Sequence, residues 1–256
     1  MRAGVPRASQ QRRIIVAPDE QAMAEMAAER LIARIAQAQG EAAICLTGGS
    51  SPQPLYRLLA REPYRSRLRR LDRSHWFMGD DRFVPETDPL SNIGMARRLL
   101  LDPVGAPAAN IHAIATDCES PATAARLYEA ELKRFCGRDE LDPARPLFAL
   151  VLMGLGSDGH TASLFPHAPA LTEQARWAVG VDEAGLEPFV PRVTLTFPAL
   201  ASTREMLFLV NGRDKREILS RVLAGEDLPA SRARSHGEMV WLIDAAAAPA
   251  DLLHAT

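Results

Sequence analysis

Short apolar runs alternate along the chain with longer amphipathic segments, and turn-forming residues separate the two. This alternation is typical of an α/β fold with a mostly parallel central sheet covered by helices on both faces. The runs of strand length are 14–17, 43–47, 75–78, 148–153, 178–181, 193–197, 206–210 and 239–243. Because run 148–153 is apolar throughout, we expect that strand to lie at the centre of the sheet.

The amphipathic segments between these runs predict helices. They cover 20–39, 52–60, 92–101, 121–136, 214–224 and 245–253. The first has a clear start and stop, because Asp19 suits the N-cap and Gly40 suits the position after the last turn. No internal repeat or break in composition divides the chain. We therefore predict a single α/β domain over 14–256, preceded by a flexible basic tail over 1–13.

The composition fits a protein with a large core and excludes two classes of partner. Of 256 residues, 47% are apolar, and 30 Lys and Arg are balanced by 32 Asp and Glu, for a formal net charge of -2. Proteins that hold nucleic acid carry a basic excess, so we predict no nucleic-acid partner. No apolar run approaches the ~20 residues of a membrane helix, so we predict no membrane partner.

The cysteines and the N-terminal sequence favour a cytoplasmic location. Cys45, Cys118 and Cys136 are too few and too scattered for a disulfide framework or for paired zinc-ligand spacing, so we expect reduced thiols. The first residues are basic but lack an apolar block, so they do not form a secretory signal. Five histidines have no ligand spacing with a cysteine or a carboxylate, and we therefore predict no metal site; they are His75, His112, His167, His236 and His254.

A glycine loop follows the second predicted strand, at Thr47, Gly48, Gly49 and Ser50. Glycines let backbone N–H groups crowd around an anion, and the start of the next helix adds unpaired donors, so this loop suits a phosphate. A serine at the helix cap and Gln53 predict a capping box there. The same residues also fit a plain tight turn before a capped helix. The loop lacks the lysine of a nucleoside triphosphate site.

Two further loops at strand ends carry charged residues. Asp80, Asp81 and Arg82 follow the third strand, and the guanidinium of Arg82 matches two phosphate oxygens. Open α/β sheets place ligands at such strand ends, although this triplet is also typical of a solvated salt-bridge cluster. Lys215 follows run 206–210, and its compact charge suits either a phosphate contact or an ordinary surface position.

The most informative segment, 152–166, follows the predicted central strand. It contains a formal GxGxxG pattern, but two prolines soon after it interrupt the helix that a dinucleotide fingerprint needs. His160 lies in this glycine-rich turn, two residues after Asp158. A carboxylate beside a histidine fixes its tautomer and stabilises its protonated form, which suits a general base. The chain contains no GxSxG elbow, so an α/β serine hydrolase is unsupported.

These loops occur in the order and at the intervals of one enzyme family. They are TGGS at 47–50, GDDRFVP at 79–85, GLGSDGHTASLFP at 154–166, RVTLT at 192–196 and GRDK at 212–215. Together they resemble the 6-phosphogluconolactonases from about residue 14 to residue 248. Two positions depart from the family pattern, because Asp81 stands where Glu is usual and Ser51 where Thr or Arg is common.

The resemblance implies a single α/β domain related to the amino-sugar-phosphate deaminases, without a cofactor. It implies a phosphate held by the glycine loop, Arg82 and Lys215, in a pocket that Asp80 and Arg192 also line. The implied ligand is a small-molecule phosphosugar lactone of the pentose phosphate pathway. We expect the enzyme to be a monomer or a weak homodimer.

The resemblance also implies the chemistry of the site. His160 would take a proton from water, which attacks the C1 carbonyl of 6-phospho-D-glucono-1,5-lactone, and would then protonate the ring oxygen as it leaves. Asp158 would orient His160 or stabilise its charge. The product would be 6-phospho-D-gluconate.

Two other functions fit part of the pattern. A glucosamine-6-phosphate deaminase or isomerase shares the Asp-Gly-His turn but needs a further carboxylate just after it, and residues 161–166 contain none. A non-catalytic sugar-phosphate sensor would keep the pocket, but it would not need both His160 and Asp158. Ammonia release from glucosamine 6-phosphate tests the first function, and ligand binding without lactone opening would favour the second.

Overall fold

The computed structural model describes residues 12–69 and 73–253. Its strands are β1 (Arg13–Ala17), β2 (Ala42–Leu46), β3 (Ser74–Met78), β4 (Asp80–Arg82), β5 (Ile111–His112), β6 (Leu150–Met153), β7 (Ala178–Val181), β8 (Arg192–Leu195), β9 (Glu205–Val210) and β10 (Glu238–Asp244). Within the described residues, seven of these strands form a parallel sheet in the order β1-β10-β9-β6-β2-β3-β5. The predicted α/β fold is confirmed, and β6 is the central strand, as predicted.

Helices connect the strands and pack against the main sheet. They are α1 (Glu20–Ala36), α2 (Gln53–Leu59), α3 (Tyr64–Arg69), α4 (Asn92–Ala96), α5 (Asp102–Val104), α6 (Pro121–Cys136), α7 (Phe197–Ala201), α8 (Arg216–Leu223), α9 (Pro229–Arg232) and α10 (Ala250–Leu253). Every residue of β2, β6 and β9 is buried, as expected for strands that are covered on both faces. No described helix has the length and apolar character required to cross a membrane.

A second, antiparallel sheet has the order β4-β8-β7 and places Arg82 of β4 opposite Arg192 of β8. The sequence pattern does not predict it, because β4 is a three-residue polar segment just beyond the end of β3. The sheet holds the charged loop after β3 against β8. It therefore brings together two arginines that are distant in the sequence.

Several predicted elements have different boundaries, and three of them differ for a clear physical reason. Run 193–197 is not a strand to its end, because Phe197 begins α7, with Pro198 in the first helical turn where proline is tolerated. The helix predicted over 245–253 covers only α10, because the Asp244 carboxylate accepts a 2.8 Å hydrogen bond from the Ala247 N–H and holds a turn there. The helix predicted over 92–101 continues through a π-helical turn to the end of α5.

Capping residues locate the first helix well. The Asp19 carboxylate accepts a 2.8 Å hydrogen bond from the backbone N–H of Ala22, so the predicted N-cap is confirmed. The helix ends at Ala36 with Gln37 as its C-cap, so the predicted stop at Gly40 is wrong. The helix predicted over 121–136 is confirmed with the same bounds.

Most of the predicted basic tail lies outside the described residues. Strand β1 begins at Arg13, which is the last residue of that predicted tail. Arg12 donates hydrogen bonds to the carbonyl oxygens of Val222 (3.2 Å) and Ser231 (2.8 Å). These two arginines are therefore part of the folded domain.

Two buried tyrosines fix the ends of adjacent strands. The Tyr56 hydroxyl of α2 donates to the Thr47 carbonyl (2.8 Å) and accepts from the Thr47 N–H (3.1 Å). The Tyr128 hydroxyl of α6 bonds the N–H and the carbonyl of Met78 in the same way, at 2.8 and 2.9 Å. Each hydroxyl thus satisfies two backbone groups just before a loop that carries charged or glycine residues.

We expect Tyr128→Phe to lower the free energy of unfolding by about 1–3 kcal/mol, because it leaves the buried N–H and carbonyl of Met78 without a partner. Urea unfolding measures the change. Tyr64→Phe is the matched control, because the hydroxyl of the half-buried Tyr64 bonds the exposed side chain of Glu29 and not buried backbone groups, and we expect a change within about 0.5 kcal/mol. Equal stability of Tyr128→Phe and the wild type would contradict this role.

Candidate active site

The loops after β2, β3 and β6 open onto one cleft of about 210 Å³. These strands are neighbours in the parallel sheet, so their carboxyl ends meet at one edge, where such folds bind ligands. Every site residue predicted from the sequence except Asp158 lines the cleft: Thr47, Gly48, Gly49, Ser50, Asp80, Arg82, His160, Arg192 and Lys215. Asp158 bonds directly to His160.

The glycine loop presents free backbone donors to the cleft. The N–H groups of Gly48, Gly49 and Ser50 have no acceptor among the described residues. Gly49 has a φ of 86°, a conformation that favours glycine. A Cβ on Gly48 would lie 2.0 Å from Oδ1 of Asn92, so only glycine allows this close approach. The loop can therefore surround an anion with N–H groups.

The predicted capping box after this loop is wrong. Helix α2 begins at Gln53 after Pro52, and no side chain caps it. The Gln53 amide instead donates to the Gly49 carbonyl at 3.3 Å, and its oxygen accepts from Arg57 at 2.8 Å. A turn at 51–52 separates Ser50 from the first residue of the helix. Ser50 is therefore not the N-cap, and no capping box forms.

His160 and Asp158 form a close pair at the end of β6. Nδ1 of His160 lies 2.5 Å from Oδ1 of Asp158, and the same oxygen accepts the backbone N–H of His160 at 3.0 Å. Burial raises the pKa of Asp158, but the hydrogen bonds and positive charge of His160 outweigh that effect and lower it below its ordinary value. An ionised Asp158 accepts a hydrogen bond from a protonated Nδ1. This tautomer leaves a lone pair on Nε2.

The turn that carries His160 is built around the imidazole ring. A Cβ on Gly156 would lie 2.1 Å from Nδ1 of His160, so residue 156 has no room for a side chain. The Gly156 N–H donates to the His160 carbonyl at 2.9 Å, and Gly159 has a φ of 83°. Residues 154–168 contain no helix, in agreement with the rejection of a dinucleotide fingerprint.

Phe165 packs between His160 and Arg192. Its ring centroid lies 4.6 Å from that of His160, and the Arg192 guanidinium carbon lies 5.4 Å from the same ring centroid. Phe165 is buried, so it supports the imidazole from one side. Phe165 belongs to the long motif at 154–166, but the motif alone predicts no role for it.

Asp80 is a buried carboxylate that faces the cleft. Its Oδ2 accepts a 2.6 Å hydrogen bond from the Ser163 hydroxyl, and its backbone carbonyl accepts from the Asn92 amide at 3.1 Å. Asn92 is buried and lines the cleft, but the sequence analysis treats it only as the start of a helix. Asn92 contacts Gly48 of the glycine loop, which is 44 positions away in the sequence. No local sequence pattern predicts a contact at that separation.

Asp81 lies beside the site and stabilises the start of α4. Its carboxylate accepts hydrogen bonds from the backbone N–H groups of Asn92 (2.7 Å) and Ile93 (2.9 Å), and so holds the start of α4. Burial raises its pKa to about 6, although these N–H groups act in the opposite direction. Asp81 does not line the cleft, which agrees with its having no assigned role in binding.

Arg82 and Arg192 lie opposite each other on adjacent strands of the second sheet, and neither forms an ion pair with a carboxylate of the described residues. Arg82 donates from Nη1 to the Leu90 carbonyl at 2.6 Å, and Arg192 donates from Nη2 to the Pro188 carbonyl at 2.9 Å. Burial and the nearby charge of Arg82 lower the pKa of Arg192. The Nε atoms of both are buried without a partner among the described residues. Two such cations side by side favour an anionic ligand.

Lys215 completes the positive wall of the cleft. It follows β9 through a turn in which Gly212 has a φ of 93°, and its side chain is 19% exposed. Its nearest carboxylate, Asp214, lies 3.8 Å away and is itself exposed, so the ammonium charge is only weakly compensated. Leu186, which the sequence analysis does not identify, adds an apolar contact on the loop between β7 and β8.

Comparison with known proteins identifies the family. The family model described as glucosamine-6-phosphate isomerases/6-phosphogluconolactonase matches residues 18–241. A 6-phosphogluconolactonase of Synechocystis sp. is 39% identical over 236 residues, which cover 88% of this chain and 92% of that protein. A 6-phosphogluconolactonase of Streptomyces coelicolor is 38% identical and covers 92% and 93%.

Solved structures agree with these sequence matches. A 6-phosphogluconolactonase from Trypanosoma cruzi aligns with a TM-score of 0.82 at 27% identity over 94% of this chain and 97% of that one. A monomeric glucosamine-6-phosphate deaminase aligns with a TM-score of 0.74 at 19% identity over 92% and 98%, and shows the shared fold alone. The sequence matches and the structural matches therefore agree, and both cover the part of the chain that forms the cleft. The chain belongs to the glucosamine-6-phosphate isomerase/6-phosphogluconolactonase family.

Proposed function

We propose that this protein hydrolyses 6-phospho-D-glucono-1,5-lactone to 6-phospho-D-gluconate, with His160 as the general base. The observation that carries the proposal is the 2.5 Å pair between Nδ1 of His160 and Asp158, in a cleft that also contains Arg82, Arg192 and Lys215. A lactone phosphate needs one end that binds an anion and another that activates water. The cleft offers groups for both tasks.

The phosphate group is assigned to the cationic wall and the glycine loop. The free N–H groups of the loop, the fork of Arg82 and the ammonium of Lys215 are donors that match phosphate oxygens. Thr47 and Arg192 line the same space. Since Arg192 already donates to the loop between β7 and β8, part of its function is to hold that loop over the cleft.

The chemical step is assigned to His160. Nε2 accepts a proton from water as the water oxygen forms a bond to C1 of the lactone. The bond between C1 and the ring oxygen then breaks, and the imidazolium returns the proton to that oxygen, which becomes a hydroxyl. The new carboxylic acid loses a proton to solvent. Asp158 keeps Nδ1 protonated throughout and stabilises the imidazolium between the two transfers.

The family includes both lactonases and amino-sugar-phosphate isomerases, so lactone hydrolysis has to be distinguished from the deaminase reaction. In this chain, residues 161–166 follow the Asp-Gly-His turn without a carboxylate. Ser163 of that segment donates to Asp80, and Phe165 packs on the imidazole. These contacts place a hydroxyl and an apolar ring where a deaminase would need a second acid, and they favour lactone hydrolysis.

We expect the purified protein to accelerate the loss of 6-phospho-D-glucono-1,5-lactone at slightly acidic pH, where the spontaneous reaction is slow. The matched control substrate is glucono-1,5-lactone, which lacks the phosphate and should react much more slowly at equal concentration. Release of ammonia from glucosamine 6-phosphate would instead support a deaminase. Binding of 6-phosphogluconate without any acceleration of lactone opening would support a sensor.

The cysteines of the chain indicate the cellular location of the enzyme. Cys45, Cys118 and Cys136 are all free thiols, which is typical of a reducing compartment, and we place the protein in the cytoplasm. A monomer or a weak homodimer stays a prediction.

A further inference from the structure

A second cleft of about 490 Å³ lies beside the glycine loop, and we call it the outer cleft. It shares Gly49, Ser50, Arg82 and Asn92 with the active-site cleft. Residues from α2 and from the helix after Asn92 form its other walls. The two clefts therefore have the glycine loop, the Arg82 side chain and Asn92 as a common boundary.

The outer cleft is positively charged. Arg57, Arg82 and Arg98 line it, and none of the described residues that line it is a carboxylate. None of the three has a carboxylate partner in residues 12–69 and 73–253. The side chain of Arg98 has no hydrogen-bond partner of any kind within that part of the chain. Three uncompensated guanidinium groups around one space attract an oxyanion.

One of these arginines is held in place beside the loop. Arg57 donates to the Gln53 amide oxygen at 2.8 Å, and the Gln53 amide nitrogen donates to the Gly49 carbonyl at 3.3 Å. This chain of contacts fixes the Arg57 guanidinium relative to the glycine loop. A donor that is already oriented loses less conformational entropy when it binds.

Arg82 belongs to both clefts. Its Nη1 is used by the Leu90 carbonyl, while its Nε is buried without a partner in the described structure. Because Arg82 lines both clefts, its other terminal nitrogen, Nη2, can donate to a ligand on either side of the loop. An anion that binds Arg82 from the outer cleft would weaken its contact with an anion in the active-site cleft, and the coupling would be reciprocal.

We propose that the outer cleft is a second binding site for a phosphate-class oxyanion, separate from the phosphate subsite of the active-site cleft and coupled to it through Arg82. The ligand is recognised by two or three guanidinium forks, which match the oxygens of a phosphate dianion. Inorganic phosphate and the phosphate group of a small metabolite share this chemistry. The volume of the outer cleft accommodates either.

Calorimetric titration with inorganic phosphate at low ionic strength tests the proposal. We expect two phosphates per chain in the wild type and one in the double variant Arg57→Gln/Arg98→Gln. Both substituted arginines are exposed, so the fold should be retained. The matched control is Arg61→Gln, an exposed arginine just beyond α2 that does not line the cleft, and it should keep two. Unchanged stoichiometry and affinity in the double variant would overturn the proposal.

A kinetic measurement separates the outer cleft from the substrate's own subsite. We expect KM for the lactone to stay within about twofold of wild type in the double variant when no phosphate is added, and inhibition by added phosphate to weaken. A rise in KM equal to that of Lys215→Ala would instead make Arg57 and Arg98 part of the substrate site and overturn the proposal. The phosphate stoichiometry does not depend on lactone hydrolysis, so failure of the proposed function would be seen separately.

The two sources of the anion are distinguished by repeating the titration with glycerol 3-phosphate. Equal or tighter binding to the outer cleft supports a metabolite phosphate as its ligand. Binding at least tenfold weaker than that of inorganic phosphate supports free phosphate. In both cases the arginine dependence of the second site carries the proposal.

Discussion

Replacing His160 with alanine is expected to lower kcat for lactone hydrolysis by about 10²- to 10⁴-fold, the usual contribution of one general acid–base group. The reason is that His160 is the one imidazole of residues 12–69 and 73–253 that lines the cleft, so water would lose the group that accepts its proton. Binding of 6-phosphogluconate should persist, because Arg82 and Lys215 are untouched. Steady-state kinetics and calorimetry of the same preparation measure the two quantities.

The control for this substitution is His236→Ala, because His236 is exposed and lies outside the cleft. It should leave kcat unchanged. In the wild type, the hydrogen bonds from His160 lower the pKa of Asp158 below its ordinary value, so its carboxylate should stay ionised and keep its bond to Nδ1 when the solution is mildly acidified. Wild-type turnover in His160→Ala would remove His160 from the mechanism.

Replacing Lys215 or Arg82 with alanine is expected to raise KM by about 10- to 100-fold with a smaller effect on kcat. Each group is assigned to the phosphate, which does not change during the reaction, so its loss weakens ground state and transition state alike. A hydrogen bond to a charged group contributes about 1.5–3 kcal/mol, and about 1.4 kcal/mol corresponds to tenfold in affinity. Initial rates over a range of lactone concentrations give both constants.

Arg213→Ala is the matched control for Lys215→Ala, because Arg213 is an exposed cation of the same short helical turn that does not line the cleft. It should keep the wild-type KM. For Arg82, the variant Arg82→Lys keeps the charge but loses the fork, and we expect an intermediate KM. If both alanine variants keep the wild-type KM, the phosphate must bind elsewhere.

Local signals in the sequence were enough to place the central part of the site. The pairing of His160 with Asp158 is a contact between residues two positions apart in a glycine turn, and the apolar run before it marks the central strand. Parallel neighbours in the sheet then bring the glycine loop and the loop after β3 to the same edge. Convergence of these loops therefore follows from strand order.

Contacts that depend on distant segments were beyond such reasoning. The opposition of Arg82 and Arg192 requires the second sheet, whose strand β4 has no apolar pattern. Asn92 reaches the glycine loop only because Gly48 has no side chain. The failed capping box at Gln53 has the same origin, since the start of α2 is set by a turn rather than by its first favourable cap.

The lack of space above Gly156 has a consequence for how such chains are classified. At that position, glycine is required by an imidazole 2.1 Å from where its Cβ would be, and not by the pyrophosphate of a nucleotide. A search keyed to spaced glycines alone would group this protein with nucleotide-binding enzymes. A search pattern that also includes the histidine four residues later would separate the two groups. The reason is that Gly156 has no side chain, and the imidazole of His160 occupies the space where one would lie.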